Sequence, residues 1–131
     1  MFGTFQQSNL RIEVNASEAA LRSSLASPAQ FPKWLWFERF SAGLPDAVRP
    51  GLTFKSWVGA IAIHHQVELV EPNRVRFLLS QGIDGFHEWS WGDGWIQSRI
   101  EGISVLPINL GQTLSLLCLK QFLSQGIRDQ G

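Results

Sequence analysis

Leu10, Ile12 and Val14 alternate with Arg11 and Glu13, a period-two pattern that predicts a half-buried strand near the start of the chain. It runs into NASEAALRSSLASP, where Ser17 is placed to cap a helix and Glu18 to favour its first turn. Leu21 and Leu25 share one face of that helix, and Pro28 stops it. AQFPKWLWF reads as a second short helix or turn opened by Pro32. From residue 37 to 105 the pattern is that of strands. FERFSAG is short, and LTFKSWVGAIAIHHQVELVE is one long β-prone stretch whose tail sets Ile61, Ile63, His65, Val67 and Leu69 against Ala62, His64, Gln66 and Glu68. VRFLLSQGI, FHEWSW and WIQSRIEGISVL follow, with turns expected at Pro72-Asn73, Asp84-Gly85 and Asp93-Gly94. After Pro107 the periodicity turns helical, apolar almost all round between Leu114 and Leu123, which predicts a helix covered on more than one side and stopped at Gly126.

The order is therefore a strand, two short helices, a run of antiparallel strands and a long C-terminal helix. Consecutive hairpins make a meander, and a curved sheet with one apolar face needs a helix to cover it. The fold class is α+β: a sheet gripping a helix, in one domain spanning residues 1–131.

The stretch GFHEWSWGDGWIQ, residues 85–97, decides the faces of the late hairpins. A two-residue Asp93-Gly94 turn pairs Trp91 with Ile96, Trp89 with Ser98, Glu88 with Arg99 and His87 with Ile100, and lays Trp95 over Gly92. One face is then Trp91, Trp89 and His87 with Ile96, Ser98 and Ile100; the other is polar, with Glu88 expected in a surface ion pair with Arg99. A three-residue turn would mix the faces. In the preceding hairpin, Val75, Phe77, Leu79 and Gln81 are expected to face inward. That arrangement uses a loop at Asp84-Gly85-Phe86, which sets Gln81 opposite Trp89. His65 falls inward and His64 outward, so the adjacent histidines are not a metal pair.

Composition narrows the chemistry. Eleven basic and eleven acidic residues balance, and no Lys/Arg cluster offers phosphates a surface, so nucleic acid is not an expected partner. The single cysteine, Cys118, excludes an internal disulfide and a cysteine-rich zinc site. No third inward ligand joins His65 and His87, so neither a metal nor another cofactor is expected. The start of the chain lacks a signal-peptide pattern and the longest apolar run is broken by Lys120; a cytoplasmic protein without a membrane span is expected. Six Trp and nine Phe with no Tyr favour a large apolar interior.

Three stretches carry a family resemblance. Val14 to Glu18, leading through a helix to Trp34, is similar to the opening of the START-like, or SRPBCC, superfamily, which includes polyketide cyclases and pollen-allergen-type ligand binders. Pro50-Gly51-Leu52-Thr53-Phe54 resembles that family's P-G-x-x-F strand start, and GIDGFHEWSWGDGWIQSRIEG its late hairpins. Trp95-Ile96 departs from the Gly-Thr type pair common after the last turn, as do Pro107 and Gly111 before the final helix. The resemblance implies a helix-grip fold, a curved antiparallel sheet around the C-terminal helix, enclosing a hydrophobic cavity. It implies no shared catalytic motif.

On this reading the cavity wall is drawn from Trp57, Ile61, Ile63, Val67, Phe77 and Leu79 of the middle strands, Trp89, Trp91 and Ile96 of the last hairpin, and Leu114 and Leu117 of the helix. His65, Gln81, His87 and Ser98 would orient a polar end. Three functions are open. The first is binding of a hydrophobic or aromatic small molecule or lipid. The second is a cyclase-, aromatase- or hydrolase-like enzyme with His87 or His65 as general base. The third is a cavity-poor accessory module whose apolar C-terminal helix leaves surface for a homodimer.

Overall fold

The computed structural model describes residues 3–130. Seven antiparallel strands form one sheet in the order β1-β7-β6-β5-β4-β3-β2. They are β1 (Thr4–Glu13), β2 (Arg39–Phe40), β3 (Thr53–Val58), β4 (Ile61–Glu71), β5 (Arg74–Gln81), β6 (Ile83–Gly92) and β7 (Trp95–Ser104). Helices α1 (Glu18–Leu25) and α2 (Phe31–Trp34) follow β1, and α3 (Ile108–Gln130) closes the chain. This is the α+β helix grip.

The local devices act as the residue types dictate. Ser17 caps α1 by accepting from the Ala20 N–H, and Leu21 and Leu25 are buried. A second anchor comes from far along the chain. The Asp93 carboxylate accepts from the Glu18 N–H at 2.7 Å, and the Trp91 indole donates to the Glu18 carboxylate at 3.2 Å. The β6–β7 turn, with Gly94 at φ +81°, is thereby hooked onto the start of α1. Its register is the two-residue one throughout, from Gly92 opposite Trp95 to His87 opposite Ile100. The Trp95 indole covers Gly92 so closely that a Cβ there would meet its Nε1 at 2.5 Å, and the Arg11 guanidinium lies over the ring, 4.2 Å from its centroid.

Elsewhere the chain departs from its pattern. The long β-prone stretch is two strands, folded at Gly59 (φ +62°) and Ala60, where the apolar run VGAIAI hides the turn. In β4 the alternation breaks between Val67 and Leu69, so Leu69 lies opposite Arg76 and Val70 opposite Val75. The β5–β6 connection falls at Gln81-Gly82, not at Asp84-Gly85-Phe86, and Val75 rather than Gln81 faces Trp89. Gln81 takes φ +71° and is exposed, while the Gly82 N–H donates to the Ala62 carbonyl at 2.7 Å. Gly85 serves a different need: it lies opposite Gly102, and a Cβ would collide with the Glu101 carbonyl.

That register also re-partners Glu88. It does face Arg99 across β7, but Arg76 faces it across β5. Glu88 pairs with Arg74 at 3.3 Å and Arg76 at 3.2 Å and is only 8% exposed, whereas Arg99 pairs with Glu101. The expected surface pair is replaced by a shielded carboxylate clamped by two guanidiniums. Helix α3 runs through Gly126, since a helical glycine costs only about 1 kcal/mol and does not by itself end a helix. Nor is α3 covered all round: Leu110 and Leu117 are more than half exposed.

The concave face of the sheet is divided. Under α1 and α2 it is filled by interlocked rings: Phe31 lies 6.0 Å from Trp34, Phe40 and Phe54, and Trp34 packs edge-on against Trp89. Val67, Phe77, Trp91 and Ile96 complete this solid half. The other half, under the first turns of α3, is hollow.

Candidate functional site

Helix α3 is seated by polar side chains of β1. The Gln6 side chain accepts from the Ile108 N–H and donates to the Ser104 and Leu106 carbonyls, holding the first turn. Two residues along, Ser8 donates to the Gln112 Oε1 at 2.5 Å and accepts from Asn109. The helix thus stands off the sheet, leaving a cavity of about 180 Å³ between α3 and strands β3–β7. Its walls are apolar, Val58, Ile63, Leu79, Ile83, Ile100, Leu106, Ile108 and Leu114 among them. Leu110, at the solvent-facing rim, and Phe37 flank the mouth.

Five polar side chains join that wall: Glu38, His65, His87, Gln112 and Ser115. Ser115 is spent on its own helix, donating to the Gly111 carbonyl. The others fall into two short strings. In one, His87 Nε2 lies 2.7 Å from Ser98 Oγ, and the Gln112 amide donates to that same oxygen at 2.9 Å and to the Ser98 carbonyl at 2.8 Å. In the other, His65 Nε2 lies 2.9 Å from Ser56 Oγ, near the Glu38 carboxyl. Each ring is held by an aromatic neighbour: Phe54 stacks on His65 at 4.6 Å, and Trp89 leans on His87 at 4.6 Å.

The electrostatics are those of an uncharged pocket. Burial, then the proximity of His87 and His64, lowers the His65 pKa to about 3. Burial alone lowers that of His87 to about 4. Burial raises the Glu38 carboxyl, and its bond to Ser56 opposes the shift. Both histidines are neutral at neutral pH, each able to offer one donor and one acceptor.

Of the side chains the pattern assigned to a cavity wall, Ile63, His65, Leu79, His87 and Leu114 line it. Val67, Phe77, Trp89, Trp91 and Ile96 face the same way but pack into the solid half. Ile61 is half-buried at the strand end, against Gly82. Ser98, wholly buried, does not line the cavity yet bonds two residues that do. Three lie elsewhere. Trp57 projects to the outer face, where Arg39 lies 5.7 Å from its ring centroid, because Phe54, Ser56 and Val58 take the inner positions of β3. Gln81 is an exposed turn residue, and Leu117 is 57% exposed on the outer side of α3.

Glu38, Ser56 and Gln112 were not singled out by pattern. Ser56 alternates with Phe54 and Val58, and Gln112 shares a helical stripe with Ile108, Leu116 and Leu119, so period alone could have found both. Glu38 precedes a two-residue strand and carries no periodic signal. It is nonetheless the inward carboxylate that the strands themselves do not supply.

No family model and no curated protein matches the chain. Solved structures do. DynU16, a protein of the dynemicin biosynthetic locus, is similar over 92% of this chain with TM-score 0.68 and 17% identity; this chain spans 48% of its length. Ms6760 from Mycobacterium smegmatis is similar over 92% of both chains, with TM-score 0.68 and 15% identity. The Aha1 dimer from Colwellia psychrerythraea is similar over 88% of this chain and 93% of its own, with TM-score 0.60 and 18% identity. At these identities the likeness establishes the helix-grip fold. Among the described residues no helix is long and apolar enough to cross a membrane.

Proposed function

We propose that the chain is a START-like, SRPBCC-type protein that binds a small hydrophobic or aromatic molecule between the sheet and α3. The observation that carries this reading is the half-hollow inner face: an apolar cavity with a few fixed, uncharged polar atoms, the usual make-up of a small-molecule site. Size bounds the ligand. An apolar cavity of about 150 Å³ accommodates benzene, whereas drug-sized ligands occupy pockets of about 300 Å³ and more. At about 180 Å³ the space suits one ring or a short acyl chain; a sterol or a whole lipid exceeds it. Titration with toluene, followed by calorimetry and native mass spectrometry, tests the reading. One equivalent should bind, and Ile100→Phe, which fills the space, should weaken binding at least about tenfold. Absence of binding to the unmodified protein sinks the proposal and favours a cavity-poor accessory module.

A second reading, acid–base catalysis, is favoured by the Glu38–Ser56–His65 string, which couples a carboxyl to an imidazole at the cavity wall. Cyclase-like chemistry begins by enolising a carbonyl compound. Catalysed deuterium exchange into the methyl group of acetophenone, lost in Glu38→Gln and His65→Gln, supports it; exchange at the uncatalysed rate removes it.

A homodimer through the exposed Leu110 and Leu117 belongs to the same picture, supported by the dimeric Aha1 neighbour. Light scattering should show twice the chain mass, and Leu117→Glu should halve it; a monomer in the unmodified protein ends the idea.

A further inference from the structure

The His87 string has a direction, and it names a ligand group. Ser98 Oγ accepts the Gln112 amide, so its own proton needs an acceptor. Among the described residues the one acceptor bonded to it is His87 Nε2. That nitrogen must then be bare, and the imidazole proton sits on Nδ1. Gln112 cannot turn to relieve this, because its Oε1 accepts from Ser8 and its Nε2 also donates to the Ser8 and Ser98 carbonyls. His87 Nδ1–H has no partner among the described residues, and the ring lines the cavity.

The His65 string carries no such direction: Ser56 Oγ and His65 Nε2 lie 2.9 Å apart, and the bond is satisfied with either as donor. The wall thus offers a free donor at His87 Nδ1–H, and an oxygen on a small neutral ligand satisfies it. Around it the lining is aliphatic, with space for one ring.

Resting on the cavity-binding reading, we infer that the site selects a neutral single-ring phenol, its hydroxyl oxygen accepting from His87 Nδ1–H. An aromatic hydrocarbon of the same shape leaves that N–H unpaired in an apolar space, which a site built around a hydrogen bond penalises. A carboxylate brings a charge that the neutral wall does not balance.

The test compares 4-methylphenol, toluene and benzoate by calorimetry on the unmodified protein. 4-Methylphenol should bind at least about tenfold more tightly than toluene, and benzoate more weakly than toluene. His87→Phe should bring 4-methylphenol and toluene within about twofold of each other, whereas His64→Gln, on the outer face, should preserve the gap. A difference spectrum of the complex against protein and free ligand, which cancels the absorption of the six tryptophans, should lack the red-shifted phenolate band. Nitrogen–proton NMR of the three histidines gives a readout that needs no variant: His87 should be the Nδ1–H form. Equal binding of 4-methylphenol and toluene, or an Nε2–H form of His87, overturns the inference while leaving the cavity reading intact. Failure of every ligand to bind removes both.

Discussion

Gln112 is the single residue on which most of the hollow depends. Its amide satisfies Ser8 and Ser98 together, tying β1, β7 and α3 at one buried point, and it is only 3% exposed. Replacing it by leucine keeps the volume but strands the Ser8 hydroxyl and two acceptors of Ser98. Leaving such groups unpaired costs about 1–3 kcal/mol each when fully buried, so Gln112→Leu should destabilise by roughly 3 kcal/mol in urea unfolding. Gln112→Glu adds a charge to the same place and should cost at least as much. Glu88 makes the complementary case on the outer face: Glu88→Gln keeps the shape but removes the charge facing Arg74 and Arg76, for an expected loss of about 1 kcal/mol by the same measurement.

Among the elements, glycines separate close approach from mere flexibility. Gly85 and Gly102 face each other where β6 and β7 come together, and either Cβ would run into the opposite backbone. Gly85→Ala should therefore cost about 3 kcal/mol, read as a shift in the urea midpoint. Gly111, in the first turn of α3, meets nothing within 4 Å, so Gly111→Ala should stabilise by about 1 kcal/mol through helix propensity. The same pair explains what was legible. The β6–β7 hairpin could be read to the residue because one register separates Trp89 and Trp91 from Ser90 and Glu88 and every other mixes them. The β5–β6 hairpin could not: Asp84-Gly85 has the composition of a turn, yet the glycine answers to β7, a strand not yet reached in the sequence. A turn at Asp84-Gly85 would set Gln81 inward and separate Glu88 from Arg74 and Arg76. Glu38 was invisible for a related reason, since a position flanking a two-residue strand is set by tertiary packing and has no period to betray it.

For the whole molecule, the buried neutral histidines set a pH dependence. In the unfolded chain each titrates near 6.5, while in the folded chain the values are about 3 for His65 and about 4 for His87. Between these limits the unfolded state binds more protons, so stability falls as pH drops from about 6.5 towards 4, by up to about 1.4 kcal/mol per pH unit for each histidine. Glu38 acts in the opposite sense, because its raised carboxyl holds a proton in the folded state before the unfolded chain does. Urea midpoints at pH 7 and pH 5 should differ in the unmodified protein, and His65→Gln with His87→Gln should flatten the difference; an unchanged slope would mean the histidines are not buried neutral.

The pairing of β1 with β7 has a consequence for how the molecule is made. Thr4 lies beside Ser104 and Glu13 beside Trp95, so the opening strand finds its neighbour only after some eighty to a hundred further residues exist. During synthesis β1 emerges first and waits longest, its backbone unclaimed while the β3–β6 hairpins form among themselves. The same is true of the α1 start, whose outside anchor Asp93 arrives late. A ribosome-stalled chain ending before Trp95, followed by a flexible tether long enough to clear the exit tunnel, should thus leave residues 4–13 open to protease while residues 53–92 already resist it, and adding β7 should protect both ends at one step.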